Sequence, residues 1–63
     1  MTKADAVKAV KSAMAQCPKA TNADLVVMAG NICGAFSHTY DPKNDALARR
    51  RLRRAIEYVK GQA

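Results

Sequence analysis

Tryptophan is absent from this chain, histidine and phenylalanine occur once each, and tyrosine occurs twice. Stacking of unpaired bases on aromatic rings therefore has thin support, resting on Phe36, Tyr40 and Tyr58 alone. A single histidine, His38, leaves general acid–base chemistry poorly supplied. Acids are also scarce, at five against eleven Lys and Arg. Asp5, Asp24, Asp41 and Asp45 stand in or beside the first turn of an expected helix, where capping explains them. Only Glu57 is left over, so no pair of carboxylates remains for catalysis.

The two cysteines, Cys17 and Cys33, make no disulfide framework. In a helical hairpin they would lie roughly 15 Å apart along the axis, beyond the reach of a bridge. Cys33 and His38 do not share a helix face, so a nucleophile–base pair would need the chain to turn back. Zinc binding by Cys17, Cys33, His38 and Asp41 would lack the usual paired ligand spacings. No enzyme, no metal and no cofactor is expected.

Long apolar runs are missing too. The longest stretch without formal charge, Leu25 to Tyr40, contains Asn31, Ser37, His38 and two glycines. It falls short of the roughly 20 apolar residues that span a bilayer. No targeting segment is recognisable at the N-terminus, and the expectation is a soluble, cytoplasmic protein.

What the chain has is helical periodicity and arginine. Thr2 with Asp5, and Thr21 with Asp24, read as helix starts, each a capping residue with an acid three positions on. Asp41-Pro42 is a third start, with an acceptor at the cap and proline at the first helical position. Val7, Val10 and Met14 form the apolar stripe of a first helix, flanked by Ala6, Ala13 and Cys17. Pro18 ends it, by disfavouring helical geometry at Cys17. Leu25, Met28, Ala29, Ile32 and Phe36 share a face of the second, although a strand from Leu25 to Met28 competes because valine and glycine lower helix propensity. Ala48, Leu52, Ala55, Ile56 and Val59 share a face of the third, with Gly61 as its expected stop.

The fold class is therefore all-α: one small basic domain over residues 1–63. It is expected to be an up-down-up three-helix bundle with helices at about 3–16, 22–37 and 42–60. The second helix carries apolar or small residues on its reverse side as well, at Val26, Val27, Gly30 and Gly34. With Leu47 and Tyr58 these six make a candidate protein interface. Gly30 and Gly34 either admit a helix of the same domain or open a groove for a second copy. Few large residues are available for a core in a chain this short, so a homodimer is part of the expectation.

The net charge of +6 is unevenly spread. Five arginines fall within the six positions from Arg49 to Arg54, flanked by Lys43 and Lys60. On a helix Arg49, Arg50, Arg53, Arg54 and Lys60 lie opposite the apolar stripe. Asp45 can reach Arg49, and Glu57 can reach Arg53 or Arg54; Arg50 and Arg51 have no acid at those spacings. Like charges three and four apart repel, and a polyanion relieves that repulsion. Arginine also bonds phosphate oxygens in a bidentate way. The leading expectation is a nucleic-acid-binding protein, DNA or RNA, that sets Arg49, Arg50, Arg53, Arg54, Lys60 and Lys43 on the phosphate backbone. A helix-turn-helix reader using Lys43 and Asn44 on bases is disfavoured by the long connector before Asp41. The alternative is a small helical regulator or inhibitor docked on an acidic surface of a larger protein, with the apolar interface buried and the arginines steering association.

Overall fold

Each helix begins where its capping residue stands. In the computed structural model, which describes residues 2–36 and 39–62, α1 spans Lys3–Gln16, α2 Asn22–Cys33 and α3 Pro42–Gly61. At α1, Thr2 Oγ1 accepts from the Asp5 N–H at 3.1 Å, and the Asp5 carboxylate accepts from the Thr2 N–H at 3.2 Å. That reciprocal pair satisfies two helix-end donors at once. It also holds the Asp5 carboxyl below its usual range, first through the backbone N–H of Thr2 and then through its hydroxyl. Thr21 accepts from the Asp24 N–H at 3.2 Å to start α2, and Asp41 accepts from the Lys43 N–H at 3.0 Å to start α3.

The three helices pack against one another around one apolar core, and no strand occurs among the described residues. The radius of gyration is 10.8 Å, close to the roughly 11 Å expected of a compact domain this size. The long dimension of 34 Å is set by α3, whose 20 residues run about 30 Å.

The core is built mainly of small residues. α1 buries Ala6, Ala9, Val10 and Ala13, so its contact stripe is centred on alanines. Val7 and Met14 pack only partly against it, and Cys17 is exposed. α3 buries Ala48, Leu52, Ala55 and Ile56, with Val59 beside them, which is the stripe its periodicity predicts.

α2 departs from expectation. Its buried face is Leu25, Val26, Ala29 and Gly30, whereas Ile32 is 46% exposed and Met28 only half-buried. Both sides of α2 are apolar, so periodicity alone does not choose between them. The face with the smaller residues is the one turned inward. Opposite the alanines of α1 it lets two backbones approach closely. The Leu25–Met28 stretch is helical, and Cys17 and Cys33 are not bridged.

α2 also ends early, at Cys33 rather than near Ser37, which itself lies outside the described residues. Gly34 takes the left-handed conformation (φ 65°, ψ 31°) and terminates it. The Gly30 carbonyl accepts from the Gly34 and Ala35 N–H groups, the latter at 2.9 Å. This reversal sends Phe36 back over Gly30. A Cβ built on Gly30 would lie 2.1 Å from Phe36 Cε2, so only glycine fits beneath the ring. The stop expected at Gly61 is different in kind: Gly61 is the last helical residue, without positive φ, and Gln62 caps α3 in right-handed geometry.

The ends of α2 and α3 are tied together. Lys60 Nζ donates to Asn22 Oδ1 at 2.5 Å, joining the last turn of α3 to the first of α2. Asn44 Nδ2 donates to the Ala35 carbonyl at 3.5 Å, joining the first turn of α3 to the segment after α2.

Candidate nucleic-acid interface

The arginine cluster sits on a helix whose opposite side is the core, so burial of Leu52 and Ile56 fixes where the guanidinium groups point. At about 100° per residue, Lys43, Arg50 and Arg54 fall within roughly 40° of one another on the side away from Leu52, with Arg53 beside them. Arg50, Arg51, Arg53 and Arg54 are all exposed. Among the described residues none of the four forms an ion pair, and Glu57 engages none of them. Lys43 is exposed two turns before Arg50 and extends the same ridge.

Arg49 is placed differently. Its Nε lies 2.9 Å from Asp45 Oδ2, and its guanidinium carbon stands 5.3 Å from the Phe36 ring centroid. It is half-buried between a carboxylate and a ring, and its charge is largely spent within the chain. Lys60, held by Asn22, likewise points towards the start of α2. Two of the six cations that the sequence singles out are thus engaged internally, and the outward set is Arg50, Arg53, Arg54 and Lys43.

Two residues that sequence reasoning does not select join the basic surface: Arg51 and Lys3. They line a cavity of about 600 Å³ between the start of α1 and the middle of α3, together with Thr2, Arg54 and Tyr58 over a floor of Ala6 and Ala55. Lys3 Nζ stands 5.1 Å from the Tyr58 ring centroid. The periodicity of α3 places Arg51 at the edge of the stripe. Nothing local to α1 indicates that Lys3 meets that edge, because the meeting is tertiary.

The candidate protein interface is divided by the fold. Val26 is 2% exposed and belongs to the core, and Gly30 is buried beneath Phe36. Neither is available to a partner, so these two expected interface positions are internal packing positions. Gly34 is exposed but serves as the left-handed cap. Val27, Leu47 and Tyr58 are exposed, the last two on the flank of the arginine ridge.

His38 lies outside the described residues, and with it the Cys33–His38 pair and the four-residue zinc set. Among the described residues no cluster of three His, Cys, Asp or Glu is placed to hold a metal. No described helix is long and apolar enough to cross a membrane. Comparison with known protein families, curated proteins and solved structures finds no match.

Proposed function

We propose that this chain is a non-enzymatic nucleic-acid-binding protein that lays the ridge Lys43, Arg50, Arg53 and Arg54 on the phosphate backbone. The observation that carries the reading is the exposure of four arginines on α3 with no ion pair among the described residues. Like charges three and four apart on a helix cost a few tenths of a kcal/mol per pair. Phosphates relieve that cost, while counterion release drives association. Contacts of this kind position the protein without reading sequence. The same reading takes the helices as an up-down-up bundle, gives the protein a cytoplasmic location and allows a homodimer, whose mass light scattering measures.

The test is a gel shift with labelled DNA and RNA at low salt. The native chain should retard a probe, and Arg50→Glu with Arg54→Glu should abolish retardation without altering helix content. Affinity should fall steeply with salt, with a log–log slope of about −0.9 per phosphate neutralised on a duplex. A native chain that shifts no probe at low salt refutes the reading. The alternative, docking on an acidic protein surface, retains Val27, Leu47 and Tyr58 as apolar contacts and predicts a shallower salt response.

A further inference from the structure

Tyr58 is 47% exposed, and depressions adjoin it that both include Lys3 in their walls. The first carries Arg51 and Arg54 from α3; the second carries Lys8 and Lys11 from α1. Among the described residues neither lining includes a carboxylate. An aromatic ring thus stands in a trough with basic residues from two helices on its sides. We propose that this trough is a path for single-stranded nucleic acid, in which Tyr58 carries a base and the flanking Lys and Arg hold the adjacent phosphates. The proposal rests on the nucleic-acid reading above and names the form of the ligand.

Geometry favours a single strand over a duplex. Both depressions open to the surface beside Tyr58, whose ring is 47% exposed, so a base face can reach it from outside. A duplex presents only base edges in its grooves, leaving no base face for the ring. An unpaired strand offers a base face and a charged backbone together, which is the pairing of contacts that single-strand binders use. Lys3 and Lys11 stand about 12 Å apart along α1, so the lysine wall follows the backbone past Tyr58 on one side. In the free protein the Lys3 ammonium rests near the ring. On binding it moves to a phosphate and a base takes its place, because stacking is the stronger contact for an exposed ring.

Fluorescence anisotropy with labelled oligo-dT and oligo-U of about 12 nucleotides, and with a duplex of the same length, tests this. The expected result is tighter binding of the single strands than of the duplex. Tyr58→Leu should weaken single-strand binding about tenfold and duplex binding hardly at all, and Tyr58→Phe should restore it. Lys3→Gln with Lys11→Gln should weaken single-strand binding more than Arg50→Gln with Arg53→Gln does. A preference between the two oligonucleotides distinguishes DNA from RNA. In a Tyr40→Phe protein the remaining tyrosine fluorescence should be quenched by oligonucleotide, a readout independent of how Tyr58 variants fold. Duplex preference, unquenched fluorescence or indifference to Tyr58→Leu overturns the trough while leaving the ridge intact. Failure of every probe to bind overturns both.

Discussion

Replacing Gly30 by alanine sets two opposed effects against each other. Glycine in a helix interior costs about 1 kcal/mol relative to alanine, so the substitution would ordinarily stabilise α2. Here the new Cβ would meet Phe36 Cε2 at 2.1 Å, Cζ at 2.7 Å and Cδ2 at 2.8 Å. The ring must leave its seat. A fully buried phenylalanine contributes about 1.5–3 kcal/mol, and Phe36 is only partly buried, so about 1.5 kcal/mol is at stake. Displacement also breaks the contact with Arg49, worth about 0.5–1 kcal/mol at an exposed site. Clash outweighs propensity, and Gly30→Ala should destabilise the protein by about 1 kcal/mol. For a domain this small that lowers Tm by about 4–8 °C. With Phe36→Ala already in place the obstruction is gone, and the same substitution should raise Tm by a similar amount. Thermal melts followed by circular dichroism at 222 nm give all four corners of the cycle, with an expected coupling of about 2 kcal/mol. The other glycines serve as references. Gly34→Ala should destabilise although its Cβ meets no atom of the described residues, because φ is +65°. Gly61→Ala, in open space without positive φ, should be neutral or slightly stabilising. A rise in Tm for Gly30→Ala in the native background refutes the packing described here.

The arginines should divide by what they touch. Arg49→Ala, losing Asp45 and Phe36, should lower stability by about 0.5–1 kcal/mol; Arg50→Ala should leave Tm unchanged or slightly raised, and equal losses at both would contradict the internal placement of Arg49. At the start of α1, Thr2→Ala should cost about 1 kcal/mol in chemical denaturation. The lowered pKa of Asp5 means that its contribution is present above its unfolded value, near pH 4, and is lost as pH falls through the folded value. The Tm difference between pH 6 and pH 2.5 should therefore be smaller in Asp5→Asn than in the native chain, and an unchanged difference would exclude the capping box as its source.

Helix starts were legible because capping is local: Thr2, Thr21 and Asp41 each show their role within three residues of sequence. The buried stripe of α3 was legible because its other side is charged, leaving one apolar face to choose. α2 was not, since Val26 and Ile32 lie on different apolar faces and only packing against α1 decides that Val26 goes inward. The role of Gly34 as the left-handed stop of α2 has the same origin. A left-handed stop at Gly34 becomes favourable once Phe36 can fold back over Gly30, a contact that no local spacing announces. The outward ridge of Arg50, Arg53 and Arg54 followed from periodicity, whereas the trough did not, because Lys3 and Arg51 are joined only across the α1–α3 contact.

An interior lined by Ala6, Ala9, Ala13, Ala29, Ala48 and Ala55 has a consequence for how this chain tolerates change. A methyl group gives up no rotamer freedom on burial, so each such position orders without the entropic loss that a longer residue incurs. By the same token it has no torsion through which to yield. Ala13 and Ala29 are 0% exposed, and a valine at either would have to wedge two helices apart, at about 1–3 kcal/mol. Its seams are closed to enlargement, and the room for variation lies on the charged exterior.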